Sequence, residues 1–507
     1  MRLGVLGNTP SRYELLFPPY THKLSVAHVP AKGRECDRRS TASGLAVLAI
    51  IGDHPGMNDT TAGRNDRGRV VPTVSDVLQD GTLVELVYRP EERITLLGTF
   101  SSGRWTLGRS VDVAGQRLVP FSPNNNLIKN EVVLLPSEPR IYESEQSLIS
   151  EIAGFIHRYA DLTPVFEQVA CYYVLLSWLY DAFNELPYLR LRGDFGTGKT
   201  RSLLTIGSLC YKPFFASGAS TVSPIFHTLD AFRGTLIFDE ADFRFSDERS
   251  EIVKILNNGN LRGFPVLRTV MNGQREFNPR AFHVFGPKIV ATRGRYEDRA
   301  LESRFITEET GGRPLRSDIP INLPETFKEE ARELRNKLLL YRFHRRHEVK
   351  LDPSLVDPKL EPRINQIMLP LLSVVGEAAL RDELKEAAQR TQLSMIAERG
   401  LLMEAQVLEI LTELMWISRR PVLAVGEITM SFIGRYGAEY DRPITNRWIG
   451  SILRNKLNLQ TYKSHGVYVV PLSEKEKVEL LCARYGINVF ADHVMMDTEG
   501  DIGTSGT

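Results

Sequence analysis

The sequence has few cysteines and no pairing among them. Cys36, Cys171, Cys210 and Cys482 lie far apart with no CxxC spacing, which argues against a zinc ribbon and a disulfide framework. Reduced, mostly buried thiols of a cytosolic protein are the expectation. No stretch approaches the ~20 apolar residues of a membrane span, so no membrane contact is expected. Arg38-Arg39 and the apolar run 45–51 start too late, and stop too soon at Asp53-His54-Pro55, to read as a twin-arginine signal. An excess of one charge is also missing. Lys and Arg total 63 against 62 Asp and Glu, a net charge of +1, so any nucleic-acid contact has to come from local basic patches.

A chain of 507 residues is too long for one ordinary core, and two to four domains are expected. Residues 1–70, with "VPAKGRECDRRSTASG" and "GMNDTTAGRNDRGR", show no sustained period and read as a disordered tail. Residues 71–140 read as a small β domain, a barrel or sandwich, with "QRLVPF" and "NEVVLLPSEP" as its later strands. Residues 141–187 form a helical lead-in. "PVFEQVACYYVLLSWLYDAFNEL" is apolar on most sides, so this helix is expected to be buried, with Tyr172, Tyr173 and Trp178 in the core. From 188 to 310 short apolar strands, expected at 188–192, 214–216, 235–239, 288–292 and 304–307, alternate with helices. That alternation predicts a parallel α/β sheet with its site at the carboxyl ends of the strands. A helical lid or linker (311–400), a small α/β module (401–487) and a polar tail (488–507) complete the chain.

Within "YLRLRGDFGTGKTRSLLTIGSL", Gly193-Asp194-Phe195-Gly196-Thr197-Gly198-Lys199-Thr200 fits G-x-x-x-x-G-K-[ST] between a strand and a helix, with Arg201 next. Glycines let backbone N–H groups turn inward around a phosphate, and the helix start adds positive potential. Lys199 reaches the β- and γ-oxygens of ATP, and the Thr200 hydroxyl can ligate Mg²⁺. Forty residues on, "GTLIFDEAD" ends an apolar strand in Asp239-Glu240. Asp239 is expected in the Mg²⁺ shell and Glu240 as the group that polarises water, with Asp242 a bystander.

The strand "PKIVATRGR" ends on Thr292, a candidate to orient that water. Arg304, in "YEDRALESRFIT", can point across a subunit boundary to a neighbour's γ-phosphate. Arg299 is a rival for that role, and an intrachain pair with Glu302 or Glu297 is the plain alternative.

"GDFGTGKT", "LIFDEAD", "IVAT" and "ESRF" together resemble the AAA+ ATPase core. Their order is similar to that of minichromosome-maintenance-type helicases and related replication ATPases of mobile elements. The resemblance covers residues 188–310 and, loosely, the C-terminal module. It implies ATP hydrolysis at the seams of a homo-oligomeric ring or partial ring acting on single- or double-stranded DNA. It also implies that "RGFPVLRTVMNGQREFNPRAFHVF" is a β-hairpin turning at Asn272-Gly273 and reaching DNA through Arg268, Arg275 and Arg280. A solvated hairpin is the alternative. By order alone, Arg363 resembles a second sensor of nucleotide. The cysteine-rich zinc element and the extra insertion of true minichromosome-maintenance proteins are missing, which bears on unwinding and leaves hydrolysis untouched.

The 401–487 module has helix, strand, helix, helix, hairpin order, that of a winged helix. Its third helix carries Arg447, Arg454 and Lys456, and the hairpin at His465-Gly466 carries Lys463. These are candidate DNA contacts, with protein docking as the alternative. Trp448, Ile449 and Leu453 are expected in the core. Two further classes stand beside a DNA motor. One is an ATP-switched regulator or scaffold. The other is a P-loop transferase, against which Glu240 and the trailing arginine speak.

Overall fold

The computed structural model describes residues 69–487 except 242–246, 272–276, 297, 419 and 441–442. The chain divides into two units, Met1–Asp66 and Arg67–Thr507, and all described residues belong to the second. Most of the expected tail, together with Cys36, Asp242, Glu297, Arg275 and the Asn272-Gly273 turn, lies outside the described residues. Arg69 and Val70, placed in that tail from sequence, already belong to a strand.

The expected parallel sheet is present. Its order is Phe305–Glu309, Tyr188–Arg192, Lys288–Thr292, Leu236–Asp239, Phe214–Ser217, and every neighbouring pair is parallel. Sheets buried on both faces need continuous apolar runs. The Lys288–Thr292 strand is buried along its whole length, and the Tyr188–Arg192 strand along all but its last residue. This order places the phosphate-loop strand next to the Lys288–Thr292 strand, whose far side carries the acidic strand.

The lead-in helices are Glu145–Tyr159, capped by Ser144, and Pro164–Trp178, capped by Thr163 with proline at its first position. Tyr172, Tyr173 and Trp178 are buried as expected. The Tyr173 hydroxyl donates to the Lys288 carbonyl at 2.9 Å and the Trp178 indole to the Leu209 carbonyl at 2.9 Å. Both polar tips are therefore satisfied inside the core.

Residues 69–120 form two sheets. One is antiparallel with four strands, Ser75–Val77, Leu83–Arg89, Ile94–Ser101 and Arg104–Gly108. The other has three, ordered Arg69–Thr73, Gln116–Pro120, Val111–Val113. "NEVVLLPSEP" forms no strand of these sheets. Val133 instead bridges Phe214, and Leu134 donates to the Pro213 carbonyl, which fastens the segment to the edge of the parallel sheet. Leu83 and Val87 pack in the core that holds Trp178 and Leu191, whereas Val84 and Leu86 pack in the one that holds Phe214 and Phe238. A buried ionic cluster adds to this. The Glu85 carboxylate accepts from Lys212 at 2.8 Å, Arg342 at 2.6 Å and the Tyr211 hydroxyl at 2.8 Å.

Helices Thr326–Arg345, Pro362–Val374 and Ala378–Gly400 follow. The last module has its own core, built from helices Met403–Ile417, Val425–Tyr436 and Asn446–Ser451 and strands Val422–Ala424, Tyr462–Ser464 and Val467–Pro471. The expected third helix continues as a π-helical turn, Ile452–Lys456, and a further helix, Lys475–Tyr485, was not anticipated. His465 and Gly466 both have positive φ, 48° and 87°, the two left-handed residues that a tight hairpin turn requires. Ile449 and Leu453 are buried. Trp448 is half-buried, edge-on to Phe432 and Tyr440. Among the described residues no helix is long and apolar enough to cross a membrane.

Candidate functional site

The loop after Arg192 closes on three features. Gly196 and Gly198 take φ of 73° and 82°, left-handed values that glycine adopts without steric cost. Gly193 is required for space: a Cβ there would stand 2.3 Å from Thr310 Oγ1 and 2.4 Å from the Thr310 carbonyl oxygen. Thr310 in turn accepts or donates a bond to Thr197 Oγ1 at 2.8 Å and donates its N–H to the Arg192 carbonyl at 2.7 Å. The loop is thus pinned to the segment following the Phe305–Glu309 strand. Helix Lys199–Gly207 begins directly on it.

Lys199 Nζ donates to the carbonyls of Gly193 at 2.6 Å and Asp194 at 2.5 Å. Thr200 Oγ1 donates to Asp239 Oδ2 at 2.7 Å, and Asp239 Oδ1 accepts the Glu240 N–H at 2.8 Å. Two segments forty residues apart therefore meet where the sequence pattern placed them. Glu240 has φ 55°, a left-handed conformation that costs a non-glycine residue energy and tends to occur at functional positions. Its carboxylate lies beside Gly218: a Cβ on that glycine would be 3.6 Å from Oε2. The cleft measures about 360 Å³ and is lined by residues 195–201, Asp239, Glu240, Ala291 and Arg293. Arg201 holds its guanidinium on the carbonyls of Pro320 and Ile321, at 2.8 and 2.6 Å. A hydroxyl and a carboxylate side by side at a phosphate loop are the donor set that Mg²⁺ shares with a nucleotide, so Thr200 and Asp239 fit that ion.

Thr292 does not line the cleft. It is 1% exposed, and among the described residues its hydroxyl has no hydrogen-bond partner. Its neighbours Ala291 and Arg293 face the cleft instead, because successive residues of a strand point to opposite sides. The structure does not bring Thr292 to the cleft, where it was expected to orient water. Arg293, missed from sequence, stacks its guanidinium 3.6 Å from the centroid of the Phe195 ring.

Arg304 precedes a strand whose far end, Glu309, is level with Arg192 at the loop. It therefore stands at the amino edge of the sheet, roughly 16 Å from its own cleft at about 3.3 Å per residue. The Glu302 half of the intrachain alternative is corrected: Glu302 binds Arg190 at 2.6 Å, while Arg304 donates to Asn260 Oδ1, Asn257 Oδ1 and the Ala300 carbonyl at 2.9, 2.7 and 2.5 Å; Glu297, the other half, lies outside the described residues. Arg299 is exposed at the start of a four-residue helix. Arg363 is likewise absent from the cleft. It donates to Gln366 at 2.6 Å, and Gln366 to Glu185 at 2.5 Å, and its charge helps burial pull the neighbouring Arg304 guanidinium below its usual range.

Strands Val266–Met271 and Phe277–Phe282 form the expected hairpin, with Arg268 directly opposite Arg280. Each is engaged inside its own chain. Arg268 pairs with Glu251 and lies over the Phe226 ring, and Arg280 pairs with Asp230 at 3.2 Å. In the last module Arg454 donates to Thr461 at 3.1 Å and lies over Tyr468, and Lys456 stands 3.8 Å from Glu404. Arg447 and Lys463 are exposed.

No protein-family model matches this chain, and no curated protein matches it. Among solved structures, the apo A form of the NrS-1 C-terminal region aligns over 76% of this chain and 96% of that one, at 12% identity and a TM-score of 0.34. The JCV helicase aligns over 49% and 61%, at 14% identity and TM-score 0.22. The ORC1 protein of Aeropyrum pernix in complex with DNA aligns over 72% and 97%, at 14% and 0.19. Likeness at this level leaves function to be argued from the chemistry of the site.

Proposed function

We propose that this chain is a Mg²⁺-dependent ATPase of AAA+ type that works as an oligomer on DNA. One observation carries the hydrolase part: the Thr200 hydroxyl and the Asp239 carboxylate meet at 2.7 Å beside Lys199 and Glu240. Lys199 leaves its loop carbonyls for the β- and γ-oxygens of ATP, and the loop N–H groups and the helix start hold the β-phosphate. Thr200 and Asp239 would hold Mg²⁺, whose charge would offset that of the phosphates. Glu240 takes hydrogen-bond control of the attacking water.

The position of Arg304 supports assembly. At the amino edge it is out of reach of its own cleft, and its guanidinium is aimed by neutral acceptors, so its charge is left for a neighbouring subunit's γ-phosphate. The DNA part rests on the winged-helix order of 401–487 and on the exposed Arg447 and Lys463. A second reading, an ATP-switched regulator whose winged helix docks a protein, is favoured by the internal pairing of Arg268 and Arg280.

The test is ATP turnover with and without single-stranded DNA, together with particle size. Turnover that rises with DNA in ring-sized particles supports the motor. Slow, DNA-indifferent turnover supports the switch. Lys199→Ala should lose nucleotide binding and Glu240→Gln should bind ATP and stall. Arg304→Ala should regain turnover when mixed with Lys199→Ala. Full activity in a strictly monomeric chain would remove the oligomeric part of the proposal.

A further inference from the structure

We propose that Arg293, in place of Thr292, is the strand-tip residue that touches the terminal phosphate, and that it does so within its own subunit. The proposal rests on the hydrolase reading above and adds to it a catalytic residue. Ala291 and Arg293 lie two apart on one extended segment and line the same cleft as Lys199, Asp239 and Glu240. Thr292, between them, is turned to the opposite, buried face with an unpartnered hydroxyl. Bringing that hydroxyl into the cleft would take the whole strand out of register with Arg192 and Phe238, because side chains alternate with period two.

The location of the guanidinium points to a ligand. Phe195 belongs to the phosphate loop, is 74% exposed, and carries the Arg293 guanidinium on its face at 3.6 Å. Charge-assisted bidentate bonds from arginine to phosphate are strong, so a triphosphate seated in the loop recruits the guanidinium that the ring holds at the mouth of the site.

In the reaction the water oxygen bonds to the terminal phosphorus and the bond from that phosphorus to the bridging oxygen breaks. The electron pair leaves with ADP, and a water proton passes to Glu240. Arg293 moves no proton. It neutralises charge on the terminal oxygens, where removal of a single such donor costs about 10²–10³ in kcat.

The experiment uses the full chain with Mg-ATP and Mg-ADP. Arg293→Ala is expected to lower kcat about 10²–10³-fold with Mg-ADP affinity within about threefold, and Arg293→Lys to recover part of the loss. Because Lys199 and Arg293 serve one site, mixing Arg293→Ala with Lys199→Ala subunits should restore nothing. Three results would overturn the assignment: Arg293→Ala turning over within about threefold of the parent, rescue in that mixture, or Thr292→Val abolishing turnover while Arg293→Ala keeps it. A parent chain that neither binds nor hydrolyses ATP is a different result, which removes the hydrolase reading and the role of Arg293 with it.

Discussion

Replacing Gly193 with alanine adds one methyl group to the phosphate loop, and the structure says where it lands. It would stand 2.4 Å from the Thr310 carbonyl oxygen and 2.3 Å from Thr310 Oγ1, about 1 Å short of ordinary van der Waals separation. Thr310 is a poor candidate to yield. Its N–H and its hydroxyl both bond the Arg192 carbonyl, at 2.7 and 3.0 Å, and the hydroxyl also meets Thr197. The loop therefore moves by about 1 Å, and a misplacement of that size at a reacting centre costs on the order of 10²-fold in rate. We expect Gly193→Ala to lower Mg-ATP turnover about 10²-fold, with a stability cost of about 1–3 kcal/mol from overpacking. Steady-state turnover and urea unfolding read the two effects separately. Adding Thr310→Ala should not rescue turnover, since it removes the hydroxyl and leaves the carbonyl. Turnover of Gly193→Ala within about threefold of the parent would refute the argument that this loop is held by steric contact with Thr310.

Two further predictions concern buried charge. Glu85→Gln keeps the side-chain shape but leaves the Lys212 ammonium without a carboxylate and Arg342 with only Asp181. Removing one partner of a buried pair costs about 3–5 kcal/mol, so urea unfolding should show a loss of that order, and less than 1 kcal/mol would dismiss the cluster as a fastening. Lys288 donates to the carbonyls of Gly259, Val284 and Gly286 at 3.2, 2.8 and 2.9 Å, and burial pulls its pKa from 10.5 down to about 7. Between those values the unfolded chain holds the proton that the folded chain has shed, so stability rises with pH across that window. Lys212, pulled to about 8 by burial, acts in the same direction from there upward. Buried thiols such as Cys171 and Cys210, pushed by burial from 9.0 up to about 12, oppose the trend as pH nears their ordinary value, and buried tyrosines such as Tyr173 do so above 10. Measured from pH 7 to about pH 8, the slope should be positive in the parent and shallower in Lys288→Met. An unchanged slope would mean that Lys288 stays charged in the fold.

The parts of the site legible in sequence are those whose chemistry is local. A glycine loop between strand and helix constrains its own backbone, so Gly196, Gly198, Lys199 and Thr200 fall where the pattern put them. The place of Asp239 beside Thr200 was legible because a buried apolar strand seldom ends in paired acids without a polar site at its carboxyl end. The parallel sheet followed from alternation of short apolar strands with helices. The 69–120 strands were legible one by one, but not their sharing of cores with the parallel sheet and its helices. That sharing depends on which face of Leu83–Arg89 meets which helix, and no periodicity within the strand encodes it. Nor did charge pattern alone show that Arg268 and Arg280 are engaged, because Glu251 and Asp230 reach them only in the folded chain.

The strand tip shows the same limit at the scale of one residue. "KIVATRGR" tells a reader that a strand ends near Thr292 and that side chains alternate, but not which of the two alternating sets faces the cleft. On a two-sided buried strand both faces are apolar, so the usual clue, polar out and apolar in, is missing. The choice is made by pairing. Thr292 lies opposite Arg192, and Ala241 donates its N–H to the Ala291 carbonyl. With the register held so, the set that includes Ala291 and Arg293 faces the cleft, and Arg293 lies over the ring of Phe195. A threonine, the residue a reader expects to orient water, was thereby passed over for the arginine beside it. Among the described residues the buried hydroxyl of Thr292 has no partner. The guanidinium of Arg293, on the contrary, lies over the Phe195 ring at the cleft that the phosphate loop lines.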